Sequence, residues 1–382
     1  MGKSSLNIET RLVHGDKGFD PYTGAISYPI YQSATFRHPG LNQTTGYDYS
    51  RLQNPTREEL ENTLAVLENG KAGFAFSSGM AAISALLEIF SPGDHIIVSD
   101  DLYGGTYRLF EEICKKHGLE FSYIDTSVKE NLKNAVKANS RGIFIETPSN
   151  PMMKVTDIQF AVEIAKSHKM ITIVDNTFLT PYFQKPMDMG ADYVIHSGTK
   201  YLGGHNDTLA GFIVVKDDEN AERIKLVQKS VGAVLAPFDS WLILRGIKTL
   251  AVRLNKQQKN ACEIAKWLNL NKSVERVHYV GLTDHEGYEI SKKQSSGFGA
   301  MISFTVKDYE TISRVLEKVR VISYAESLGG VESLITYPIL QTHSAIPKEL
   351  RERLGVDEKL LRLSVGIEDT GDLINDLEQA LA

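Results

Sequence analysis

Residues 191–205 read ADYVIHSGTKYLGGH. The span 192–196 is short, apolar and rich in β-branched residues, the composition of a buried strand. It runs straight into Ser197-Gly198-Thr199-Lys200. A lysine at the end of a buried strand is poorly solvated, which lowers its pKa. A neutral amine attacks carbonyls, so Lys200 is a candidate Schiff-base lysine. Ser197 and Thr199 set two hydroxyls beside it, fit to hold an anion such as a phosphate. The plainer reading is a solvated lysine following a strand.

Two further segments bear on that choice. Residues 170–178, MITIVDNTF, form an apolar run that ends in Asp175. A carboxylate at the end of a buried strand needs a cation or N–H donors; a helix cap or a salt bridge is the common outcome. Residues 73–87, GFAFSSGMAAISALL, read as strand, Ser-Ser-Gly turn and helix. Gly79 and Met80 then lie at a helix N-terminus, where free N–H groups and the macrodipole favour a phosphate. An ordinary strand–helix turn has the same pattern. A lysine for an aldehyde, a carboxylate for a pyridinium nitrogen and an anion cradle are together the needs of pyridoxal 5′-phosphate. Tyr103 is the candidate aromatic face for its ring, although one tyrosine by itself is more often half-buried core.

The chain resembles the Cys/Met-metabolism family of pyridoxal-phosphate enzymes, the trans-sulfuration enzymes. The resemblance runs from TGA (23–25) and PIYQ (29–32) through YDYSRLQNPTR (47–57), ETPSNP (146–151), VDNTF (174–178) and SGTKYLGGH (197–205) to LSVGIE (363–368). It implies a type I, aspartate-aminotransferase-like α/β fold and a cofactor held on Lys200. Gly79, Met80, Ser197 and Thr199 are then expected at the phosphate, Asp175 at the pyridine nitrogen and Thr177 beside the ring. The family match to Tyr49 and Arg51 binds the phosphate of the neighbouring subunit, which implies shared sites in a dimer, usually a tetramer of two dimers. Arg51 as a surface arginine is the plainer alternative.

For the substrate, the resemblance points to Asn150 and Ser327. Arg362, an arginine flanked by leucines on an apparent strand, suits a carboxylate. Tyr103 is also a candidate acid or base. Arg108 is a minor substrate candidate, equally readable as a solvated helix residue. Glu326 matches the glutamate of cystathionine γ-synthases and γ-lyases, where β-lyases tend to carry an apolar or aromatic residue. Gly105 stands where methionine γ-lyases have cysteine. The expectation is therefore chemistry at the γ-carbon of cystathionine or an O-acyl-homoserine. Cystathionine β-lyase is the alternative, methionine or homocysteine γ-lyase stands further off, and a non-catalytic cofactor-binding regulator is the rival from another class.

Composition narrows the setting. The 382 residues carry a formal charge of −6, which argues against a general nucleic-acid or membrane-surface binder. Two cysteines, Cys114 and Cys262, imply no disulfide framework and fit a cytoplasmic protein. No secretory h-region is read in MGKSSLNIETRL, and no apolar run is long enough for a membrane span. No H-E-x-x-H or paired C-x-x-C occurs, so no metal is expected. Residues 1–48 lack sustained periodicity and read as an extended arm that packs on a neighbouring subunit. Strand and helix patterns alternate from residue 56 onward, predicting a mostly parallel sheet over residues 49–237. Residues 238–270 read as one long helix opening a smaller α+β domain, residues 238–382.

Overall fold

The computed structural model describes residues 6–344 and 346–382. Seven strands form its larger sheet: β1 (Ala72–Phe76), β2 (His95–Ser99), β3 (Glu120–Ile124), β4 (Ser140–Glu146), β5 (Ile171–Asp175), β6 (Tyr193–Ser197) and β7 (Gly211–Val215). Their spatial order is β1-β7-β6-β5-β4-β2-β3. From β6 to β3 every pairing is parallel, and β7 runs antiparallel to both β6 and β1. Strands covered on both faces need continuous apolar runs, and β2 and β7 are buried at every position. This is the α/β architecture with a mostly parallel sheet that the strand pattern predicts.

A smaller sheet contains β8 (Val274–His278), β9 (Met301–Val306), β10 (Ser323–Tyr324), β11 (Leu334–Thr336) and β12 (Leu360–Ser364), ordered β10-β11-β12-β9-β8. Only β10 and β11 pair in parallel there. Arg362 sits in the centre of this sheet, in register with Thr336 of β11 and Ser303 of β9.

Several local expectations need correction. The helix expected over 238–270 is two helices, Pro237–Ile247 and Leu250–Leu270. Arg253 Nη2 donates to Gly246 O at 2.9 Å and Nη1 to Tyr201 O at 2.8 Å, so a side chain takes the carbonyl that ends the first helix. The arm is not wholly extended either. Helix Ile8–His14 lies within it, and Arg11 Nη1 donates to Val66 O and Asn69 Oδ1 at 3.1 and 2.7 Å on the same chain. Residues 1–5 of the arm lie outside the described residues. Residues 107–117, whose sequence reads as one helix, instead belong to a helix that begins at Gly104 and gives way to a 3₁₀ turn, Cys114–His117.

The parallel strands place their carboxyl ends together. Glu146, Asp175 and Ser197 are the last residues of the adjacent strands β4, β5 and β6. The crevice beyond such ends is where open α/β sheets bind ligands.

Candidate active site

A cavity of about 210 Å³ opens at these strand ends. Lys200 lines it with Asp175, Thr177, Ser197 and Thr199, and Gly79 and Met80 approach from their helix. Tyr103, Asn150, Glu326, Ser327 and Arg362 complete the set of sequence candidates found there. Tyr49, Arg51 and Arg108 are not among the lining residues. Tyr49 and Arg51 are exposed and stack on each other, the guanidinium carbon 5.5 Å from the ring centre. Arg51 donates to Lys229 O on its own chain. Arg108 is exposed on its helix.

Burial explains the chemistry at Lys200. It brings the amine down to about 8, helped by the positive charge of Arg362 and opposed by Glu326. Its Nζ donates to Ser327 Oγ at 3.0 Å. Ser327 has φ 106, a region costly for a residue with a Cβ. Its carbonyl accepts from Arg362 Nη2 at 3.0 Å, so two cations hold the strained residue in place. Arg362 is buried, which pulls it down to about 10. Its Nη1 donates to Asn150 Oδ1 at 2.9 Å and Nη2 to Thr336 Oγ1 at 3.2 Å, while the buried Nε has no protein acceptor.

Asp175 Oδ1 accepts from Thr177 N at 3.0 Å and from Thr177 Oγ1 at 2.5 Å. Thr177 Oγ1 in turn accepts from Ser197 N at 2.9 Å, tying the end of β6 to that of β5. Burial pushes the Asp175 carboxyl up, and the Thr177 bonds and the nearby His196 oppose that rise. His196 is itself held by Glu68, Nε2 to Oε1 at 2.7 Å, while its buried Nδ1 has no hydrogen-bond partner.

The helix Gly79–Leu87 is capped by Ser78, whose Oγ accepts from Ala81 N at 3.1 Å. First-turn amides such as those of Gly79 and Met80 have no acceptor within the helix. A Cβ added at Gly79 would lie 3.1 Å from Ser197 Cβ and 3.2 Å from its Oγ, filling the gap between the helix end and Ser197. The donor set fits pyridoxal 5′-phosphate: a buried amine of lowered basicity, a carboxylate one strand away, and hydroxyls and amides at a helix N-terminus. Among the described residues no group of three or more metal-ligating side chains occurs.

Sequence reasoning missed Glu146, Thr106 and Thr342 on the wall of this cavity. Glu146 was legible by the signal that identified Asp175, because RGIFIE, like ITIVD, is an apolar strand that ends in a carboxylate. Thr342 comes from a segment with no local pattern. It reaches the site because its carbonyl packs on Gly104, where any Cβ would collide with it.

Known proteins bear on this geometry directly. Residues 9–382 match the family described as Cys/Met metabolism PLP-dependent enzyme. A cystathionine β-lyase of Lactococcus lactis subsp. cremoris is 51% identical over 98% of this chain and 99% of its own length. A cystathionine γ-synthase/O-acetylhomoserine (thiol)-lyase of Bacillus subtilis (strain 168) is 49% identical over 99% of this chain and 97% of its own. The crystal structure of a cystathionine γ-lyase from Lactobacillus plantarum complexed with L-serine superposes with TM-score 0.95 at 44% identity, covering 98% of each chain. The chain belongs to the Cys/Met-metabolism family of pyridoxal-phosphate-dependent enzymes.

Proposed function

We propose that this enzyme acts at the γ-carbon of cystathionine or an O-acyl-homoserine, making or breaking a Cγ–S or Cγ–O bond. Glu326 carries this reading. Its carboxylate lines the same cavity as Lys200 and Arg362. A second, more open cavity shares Thr199, Leu209, Glu326 and Ser327 with the first and extends to Asp207 and Asp239. Glu326 thus stands where a two-headed amino acid would pass from one to the other, suited to hold a distal ammonium or to orient the lysine. The second reading is a cystathionine β-lyase, favoured by the 51% identical relative.

When bound, the cofactor supplies an electron sink for the bond broken at Cα. In our reading Lys200 would hold its aldehyde and, as a free amine lowered to about 8, would suit moving the Cα proton. Asp175 would keep the pyridine nitrogen protonated, with Thr177 beside the ring. Gly79, Met80, Ser197 and Thr199 hold the phosphate. Tyr103, on the cavity wall, would offer its ring as a face for the cofactor and its hydroxyl as an acid or base. Arg362, with Asn150 and Ser327, binds the substrate carboxylate through its unpaired Nε.

Tyr49 and Arg51 are assigned to the phosphate of a neighbouring subunit, in a homotetramer of dimers. Their absence from the lining of their own cavity supports this, as do the exposed apolar arm residues Phe19, Tyr22, Ile26 and Leu41. The arm (1–48), a cofactor-binding domain (49–237) and a small domain (238–382) are the proposed divisions. No helix among the described residues is long and apolar enough to cross a membrane, which fits the proposed cytoplasmic setting.

The test is Glu326→Val assayed on cystathionine by mass spectrometry. The ratio of γ to β products should change by at least about tenfold, or ~1.4 kcal/mol between competing barriers. An unchanged ratio in folded, cofactor-loaded variant protein removes Glu326 as the determinant.

A further inference from the structure

Glu146 ends β4 and stands in register with Asp175 at the end of β5. Directly paired residues of adjacent strands project to the same face, and both of these line the cavity. Their donors differ. Asp175 receives the amide and the hydroxyl of Thr177. Glu146 Oε2 receives the main-chain N–H of Tyr103 at 3.0 Å. Asp101, from the loop before Tyr103, adds a third buried acid, held by Ser149 Oγ and by Met152 N. The cation facing Glu146 is Arg362 of β12, whose guanidinium bonds go to Asn150, Ser327 and Thr336. Neighbouring buried carboxylates do not all ionise together. The negative charges belong on the two members with both a hydroxyl and an amide donor, Asp175 and Asp101, and Glu146, with one amide alone, is left to carry the proton.

We propose that Glu146 works as an uncharged carboxylic acid, a positioning residue that anchors the Tyr103 main chain and leaves Asp175 the anion facing the cofactor. Burial first, and then the charge of Asp175, push Glu146 well above the usual carboxylate range, against the pull of the Tyr103 amide and Arg362. The anchor matters because the Tyr103 ring rests on residue 105, where any Cβ would collide with it. Tyr103 O also accepts from Thr106 N at 2.9 Å. Fixing this stretch of backbone therefore fixes the ring. The proposal rests on the cavity being the cofactor site, but not on which carbon is attacked.

Infrared spectroscopy of the protein stripped of cofactor, at pH 8, tests it without turnover. Asp101 titrates near 6 and is ionised at that pH. A carboxylic-acid C=O band should be present, should shift when glutamate side-chain carboxyls are isotope-labelled, and should vanish in Glu146→Gln. Burial also pushes the Glu61 carboxyl up, so the isotope shift identifies a glutamate and the loss of the band in Glu146→Gln identifies which one. Absence of the band, or its movement with labelled aspartate instead, overturns the proposal. In the loaded enzyme, Glu146→Gln keeps an acceptor for Tyr103 N–H and Glu146→Leu does not. kcat should therefore be at least ~tenfold lower for Leu than for Gln, the cost of an unsatisfied buried N–H. Tyr103→Phe should add less loss in the Leu background than in the unmodified enzyme. Equal kcat for the two variants, or full additivity, contradicts the anchoring role.

Discussion

Replacing Lys200 by Met should stabilise the cofactor-stripped protein near neutral pH. Burial lowers the amine from 10.5 to about 8 in the folded chain. Below pH 8 the lysine is charged both folded and unfolded, and the folded state bears the whole cost of burying that charge. At about 1.4 kcal/mol per tenfold change in ionisation, the cost is ~3 kcal/mol. Between pH 8 and 10.5 the unfolded chain binds the extra proton, so the stability of the unmodified protein rises with pH until the cost is gone. Methionine is apolar, unbranched and adaptable. It forfeits the 3.0 Å bond to Ser327, worth ~1 kcal/mol. The net gain is ~2 kcal/mol at pH 7, shrinking as the pH approaches 10. Cofactor would be removed with a carbonyl-trapping reagent and both proteins melted by calorimetry from pH 7 to pH 10. The difference between them cancels the titration of tyrosines common to both. A variant that melts lower at pH 7, or a difference that does not vary with pH, refutes the reasoning.

Two further outcomes are expected. Mixing Arg51→Ala and Lys200→Ala proteins, each inactive alone, should restore activity in hybrid dimers with one intact site; verified subunit exchange without activity means Arg51 serves no neighbouring site. Arg362→Lys should raise KM by ~100-fold, about 2.7 kcal/mol, because an ammonium cannot reproduce the fork that holds Asn150, Ser327 and Thr336 while presenting Nε. Steady-state kinetics on cystathionine separate that from a kcat effect, and an unchanged KM removes Arg362 from carboxylate binding.

The parallel sheet was legible because its strands are covered on both faces and leave nearly unbroken apolar runs, and because carboxylate, hydroxyl and lysine follow those runs directly. Asp175, Ser197 and Lys200 are thus placed by local pattern plus the general rule for strand ends. The break after Ile247 was not legible. Leucines and isoleucines keep helical spacing across it, and Arg253, seven residues beyond Gly246, joins Thr249 in bonding the Gly246 carbonyl. Of the apolar residues at this spacing, Trp241 and Leu244 are only partly buried, whereas Ile247, Leu250 and Leu254 are core. Helix Ile8–His14 is too short to announce itself by periodicity and depends on Arg11 reaching the end of helix Pro55–Glu68. Glu146 ends an apolar strand as Asp175 does, so its place was legible; its partner was not, because a main-chain amide on another loop is advertised by no side-chain motif.

The most direct measurement is product identity from cystathionine with the unmodified, cofactor-loaded enzyme. A site built for the γ-carbon yields 2-oxobutanoate with cysteine as the main products. Predominant pyruvate with homocysteine contradicts the γ assignment and makes β-cleavage the reaction of this cavity.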